Sequence, residues 1–363
     1  MLPNYSILHK QDIFITEKYE PDIRRDELSF LSRSFERHFN ERPYLHHTCY
    51  LFLTKTTKER SRQQSNWNTL CRGFLVPKEI RDKETVERFM EAVGQFESIV
   101  NDSGLIKLER LTTEEITGTE NEPGIIERYL TLSADGTTML QDMQLNPDEM
   151  RIGDKRLCLH TLSDLDDLPG KVKTDGRYER LSTDRSDCRL SYAAPVGVML
   201  PCDHIYNQWI FIDDSNENLS RFEKAAKNMQ SLSRYSRSNQ INKEWLDEYL
   251  NEAHTNGLQS VRCHCNIIAW AENGDELRRV KNDVGSALAL MECTPHHNTT
   301  DLPALYWAGI PGNEADFPAE ETFYTFTGQA LCFFTAETCY RNSLSPFGIR
   351  MVDRLTGKPV FLD

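Results

Sequence analysis

At 363 residues the chain is long enough for two or three domains with large buried cores, and its 39% apolar and 27% charged content excludes a disordered or membrane-embedded class. A formal net charge of −14, from 42 basic and 56 acidic residues, repels phosphate backbones and argues against bulk nucleic-acid binding. No run nears the ~18 apolar residues of a membrane span, and the opening MLPNYSILHKQDIFI lacks a secretory leader's basic and apolar regions.

In chain order, the first predicted element is a strand with Ile7, His9, Gln11 and Ile13 alternating. HTCYLFLTKTT predicts a second over 47–57, with Cys49, Leu51 and Leu53 on one face, and His46-His47 at its surface end. A helix follows over 83–101, capped by Asp82, whose Val86, Phe89, Met90, Val93, Phe96 and Val100 fall at helical spacing and predict one buried stripe. LIKLERL reads as the next strand. The stretch 161–195, rich in Asp, Arg, Ser, Gly and Pro, has no sustained period and reads as a long excursion.

The second half repeats the theme. HIYNQWIFID predicts a strand over 204–213. Ser215 caps a helix carrying Leu219, Phe222, Ala226, Met229 and Leu232. A second helix carries Ile241, Trp245, Tyr249, Leu250 and Ala253 and stops at Gly257. QSVRCHCNIIAWA predicts a strand with Val261, Cys263, Cys265, Ile267 and Ala269 on one face. The next helix buries Leu277, Val280, Val284, Leu288 and Met291. A hairpin turning at Thr356-Gly357 closes the sequence. The expected fold class is α+β: two strand–helix–strand layers of ferredoxin-like kind on a mostly antiparallel or mixed sheet. The expected units are 1–160, an excursion at 161–199, 200–344, and the hairpin 345–363.

Ten cysteines without a leader read as reduced thiols. QWIFIDDS places Asp213-Asp214 where P-loop NTPases carry a Mg²⁺ carboxylate, but Gly170-Lys171 and Gly357-Lys358 lack the rest of a phosphate cradle. The two acids are therefore read as helix-start charges. Cys263, Cys265, Cys293 and His296, with His297, offer soft and borderline metal ligands, yet the two strand cysteines share an apolar face and predict core packing. His160 with Asp164, Asp166 and Asp167 offers acid–base groups in a solvated loop. Trp245, Tyr249, Phe323, Tyr324 and Phe326 are read as core. Exposed loops carry binding more often than cores do, so Asp166, Arg177 and Arg185 in the excursion, and Pro311, Asn313 and Phe317 in AGIPGNEADFP, are the candidate partner contacts.

Long blocks of the chain carry a resemblance: FLSRSFERHFNERPYLHHTCYLFLTKTTKER, EMRIGDKRLCLHTLSDLDDLPG, YERLSTDRSDCRLSYAAPVG, SLSRYSRSNQINKEW, LYWAGIPGNEADFPAEETFYTF and RNSLSPFGIRMVDRLTGKP. With them the sequence resembles the TraG family of conjugative-transposon ATPases, similar to the large cytoplasmic ATPase of type IV secretion systems. The resemblance implies a non-catalytic N-terminal docking and assembly region, with the closing hairpin leading into a RecA-like motor that this chain would not include. ATP and Mg²⁺ would then belong to that missing domain, and no cofactor or catalytic residue is expected here. The implied partners are inner-membrane channel components and the chain's own ATPase domain, with a hexamer possible in the full-length protein, at the bacterial cytoplasmic face. The alternative from another class is a self-contained zinc or redox enzyme built on Cys263, Cys265, Cys293 and His296.

Overall fold

The structure, a computed structural model, describes residues 2–19, 30–40, 42–61, 82–133, 141–146, 149–172, 176–232, 236–337 and 349–362. The chain opens with β1 (Ser6–Lys18), α1 (Phe30–Asn40) and β2 (Pro43–Lys55), the two strands pairing antiparallel from Ser6↔Lys55 to Lys18↔Pro43. The short α2 (Lys58–Ser61) precedes α3 (Lys83–Asp102), α4 (Thr113–Thr117) and α5 (Ile125–Thr131). A small meander follows: β3 (Met143–Leu145), β4 (Met150–Ile152) and β5 (Lys155–Leu162). The second half supplies β6 (His204–Ile212), α6 (Ser215–Leu232), α7 (Arg237–Asn256), β7 (Ser260–Ala271) and α8 (Gly274–Leu290). It continues through β8 (His296–His297), α9 (Leu302–Ala308), β9 (Phe323–Phe326) and α10 (Thr327–Leu331), to the hairpin β10 (Ile349–Val352) and β11 (Pro359–Leu362).

The fold is α+β, and every strand pair among the described residues is antiparallel. Nine strands form one sheet in the order β2-β1-β6-β7-β5-β4-β3, with β8 on β5 and β9 on β7. The two expected layers thus share one sheet: β1 pairs with β6, and β5 with β7. One edge of β7 serves two partners, β9 for residues 260–263 and β5 for residues 265–271.

Alternation along the strands sorts side chains to two faces. On one, Val261, Cys263, Cys265, Ile267 and Ala269 of β7 pack with Leu277, Val280, Val284 and Leu288 of α8. That helix is started by Asn273, whose side chain accepts from Glu276 N–H at 2.9 Å. On the other face, Ile205, Trp209, Ile268 and Trp270 lie with Tyr129 of α5 and with Leu305 and Tyr306 of α9. The helices α6 and α7 form a smaller core with Leu219, Ala226, Leu250 and Ala253, and α7 ends at Gly257 with φ of 61°. The closing hairpin turns at Gly357, φ 75°, and docks on the sheet edge, Leu45 N–H donating to Thr356 O at 3.1 Å.

Several expectations need correction. Helix α3 exists with Asp82 at its N-cap, but none of its residues is fully buried, and Val86 and Met90 are exposed. Periodicity identified the stripe, but only its middle, through Phe96, rests against the core. Residues 105–112 are not a strand. The Asn101 side chain donates to Leu108 O and accepts from Leu108 N–H (2.6 Å), taking the backbone groups that a neighbouring strand would use. The excursion begins later than expected, because Thr161 and Leu162 complete β5, and its end is core: Ala193, Ala194 and Val196 are buried. Between them a small irregular hairpin forms, bridged at Arg177↔Arg189 and Thr183↔Ser186. The cap of α6 is Asp214, which accepts from Glu217 N–H at 3.2 Å, while Ser215 Oγ accepts from Ser260 N–H. Trp245 is 58% exposed, so it is not core.

Candidate functional site

Strand β1 lies between two partners and carries polar groups on both faces, where sheet interiors usually carry hydrocarbon. Toward α9, Gln11, Asn207 and Asn266 stand opposite one another across β1, β6 and β7, with Thr161 of β5 next in the row. Their hydrogen bonds run in one sense. Gln11 Nε2 donates to Asn207 Oδ1 (3.0 Å), Asn207 Nδ2 to Asn266 Oδ1 (3.1 Å), and Asn266 Nδ2 to His264 Nε2 (3.1 Å). His264 Nδ1 then donates to Glu321 O at 2.6 Å. That pattern fixes the neutral tautomer of His264, and burial pushes its pKa down to about 3 against the opposing pull of the Glu321 carbonyl.

Both ends of this row touch the stretch from Gly309 to Glu321, because Gln11 Nε2 also donates to Gly309 O at 3.0 Å. A third tether is the buried Glu314. It accepts from Thr54 Oγ1 (2.8 Å) and Gly312 N–H, and lies 3.6 Å from His9 Nδ1. Burial pushes the Glu314 carboxyl up, but His9 and the other donors hold it below its ordinary range. The row is therefore a clamp that stitches the Pro/Gly-rich loop to the sheet.

On the opposite face the buried carboxylate of Asp12 collects four donors. His47 Nε2 donates to Oδ1 at 2.9 Å; Thr335 Oγ1 (2.8 Å), Gln208 Nε2 (3.1 Å) and Lys10 Nζ reach Oδ2. Burial works to raise the Asp12 carboxyl, and the hydrogen bonds and charges of His47 and Lys10 overcome it, leaving it well below the usual carboxylate range. The His47 ring stacks on Phe14 at 4.3 Å, and Phe14 in turn on His204 at 4.5 Å. Such a cluster holds a permanent anion and its hydrogen-bond donors inside the protein. It is built to fix β1, β2, β6 and the Thr335 segment in register.

The residues singled out from sequence fall in different places. Asp213 is buried and bound in a fork by Arg262, Nε to Oδ2 at 2.7 Å and Nη2 to Oδ1 at 3.3 Å, so both carboxylate oxygens are engaged. Cys263, Cys265 and Cys293 are buried, the first two in the core as their face predicted, and burial raises the thiol pKa of Cys265 and Cys293. His296 instead faces Asp167 at 2.6 Å. Among the described residues no group of three or more His, Cys, Asp or Glu side chains is placed to hold a metal ion. Asp166, Arg177 and Arg185 are exposed; Pro311 and Asn313 are half-buried. Phe317 is buried against Trp209 (4.9 Å), His264 (4.8 Å) and Phe211 (5.2 Å), so it anchors its loop and offers no partner contact. His47 is likewise not at the surface.

Sequence reasoning missed Lys10, Asp12 and His47 as a unit. The available signal was the alternation itself: Lys10 and Asp12 sit between Leu8 and Phe14 on a face that must be buried. No family model matches the chain, and no curated protein matches it at a significant level.

Proposed function

We propose that this chain is a docking and assembly domain of a conjugation ATPase of the TraG kind, non-catalytic by itself. Its partners on this reading are inner-membrane components of a type IV secretion channel and its own C-terminal ATPase domain, where ATP and Mg²⁺ are bound. It works at the cytoplasmic face of the inner membrane, within a hexamer of the full-length protein.

The observation that carries this reading is the half-covered helix α3. Its apolar stripe leaves Val86 and Met90 exposed, and the chain continues through exposed Leu105 and Ile106. Exposed side chains of this type favour protein contact over solvent. The buried polar clusters on β1 support the same reading, since their groups bind one another and brace a rigid platform. The sequence blocks that resemble the TraG family imply the class of partner.

The test uses the full-length protein in a mating assay. Val86→Glu with Met90→Glu is expected to lower DNA-transfer frequency strongly while leaving the protein folded and abundant. Unchanged transfer would remove the docking role from this surface. ATP turnover by the 363-residue chain alone would overturn the non-catalytic assignment.

A further inference from the structure

The edge of the sheet at β5 carries a pair of groups that docking does not use. The two-residue β8 sets His297 opposite His160 and His296 opposite Thr161. Asn298 N–H donates to Leu159 O at 3.0 Å. Residues 159 and 298 are therefore the hydrogen-bonded pair, and His160 and His297 occupy the adjacent non-hydrogen-bonded position, where facing side chains approach most closely. Their rings meet edge to face with centroids 5.4 Å apart. His160 is only 4% exposed, and its Nδ1 finds no hydrogen-bond partner, whereas His297 lies at the surface. One imidazole is thus anchored in the fold and the other is open to water.

An edge-to-face ring contact alone is ordinary packing. It leaves the buried His160 nitrogen unsatisfied, which costs stability. We propose that His160 and His297 form a two-imidazole clip for a borderline divalent ion of the Zn²⁺, Cu²⁺ or Ni²⁺ type, with water completing its coordination. Imidazole suits these ions, and the neutral ring is the form that binds. This pair is separate from the cysteine-based set, because His296 is engaged by Asp167.

Lys281 of α8 gives the idea a sign. Its positive charge acts on both rings and opposes a bound cation, so removing that charge must tighten binding. The experiment is calorimetric titration of the chelator-stripped chain with ZnCl₂, beside thermal unfolding with and without the ion. The wild type is expected to bind one ion and to gain thermal stability. His297→Ala, at an exposed position that does not threaten folding, is expected to weaken binding on the order of a hundredfold by removing the chelate. His296→Ala should leave it unchanged, and Lys281→Met should tighten it several-fold. The proposal is overturned if the wild type takes up no zinc, if His297→Ala binds as the wild type does, or if His296→Ala loses as much as His297→Ala.

Discussion

Strand β7 and helix α3 are opposite solutions to the same demand for apolar burial. Of the twelve residues of β7, all but the last are buried, and the polar ones among them are matched: Arg262 with Asp213, His264 and Asn266 within the side-chain row. Helix α3 is longer, at twenty residues, and has none buried. Its hydrophobic spacing is as regular as that of α8, which packs fully on β7. The difference lies in what covers each element. A strand in the middle of a sheet is covered on both faces by the fold's own layers, whereas α3 lies outside with its stripe half free. Rigidity is concentrated in the first region, and contact with other molecules is open to the second.

That contrast can be broken from the inside first. Asp12→Ala should be the most damaging single change, lowering stability by about 3–5 kcal/mol because Lys10 loses its buried counter-charge and His47, Thr335 and Gln208 lose their acceptor. A urea midpoint that hardly moves would show that the cluster is not the brace described. Next comes Leu288→Ala under the sheet, with an expected loss of about 2–5 kcal/mol through the cavity it leaves.

A milder probe is acid. His264 is neutral when folded, with its pKa pushed down to about 3, and an unfolded histidine takes its proton near pH 6.5. Between those limits the unfolded chain binds the extra proton, so the stability that His264 contributes is complete above about pH 6.5 and is lost as pH falls toward the folded value. From pH 7 to pH 5 the loss from this residue should be about 2 kcal/mol. His264→Gln should flatten the pH dependence of the urea midpoint by that amount, and an unchanged slope would refute the assignment.

The smallest effect on stability is expected on α3. Met90→Glu should shift the midpoint by no more than about 0.5 kcal/mol. A loss comparable to that of Leu288→Ala would mean that the stripe is already covered, and the comparison of the two regions would collapse.

Much of the fold was legible because period and capping are local. The alternation of β1 and β7, the stripe of α8 and the stop at Gly257 all follow from residues within one element. Whether anything covers a stripe is not local, so the sequence alone places Val86, Met90 and Trp245 in the interior, although all three face outward. Phe317 misled in the reverse direction: its neighbours Pro311, Gly312 and Asn313 signal a surface turn, yet its ring is the anchor holding that turn against Trp209. The Asp12 cluster was hidden for the same reason. His47 meets Asp12 only because β1 and β2 pair in one register, and Thr335 arrives from far along the chain.

The place of β1 in the sheet also sets a timetable for synthesis. Its register with β6 runs from Ser6↔Ile212 to Phe14↔His204, so each contact joins residues about 200 positions apart. At the usual ribosomal pace of about 5–20 residues per second, β1 emerges some 10–40 s before its inner neighbour exists. Throughout that interval the nascent chain carries Ile7, His9, Gln11 and Asp12 on a ribbon with one edge unpaired. High contact order of this kind slows folding and leaves strands open to wrong pairing. Expression yield should therefore respond to chaperone supply and to growth temperature more sharply than the stability of the finished sheet would suggest.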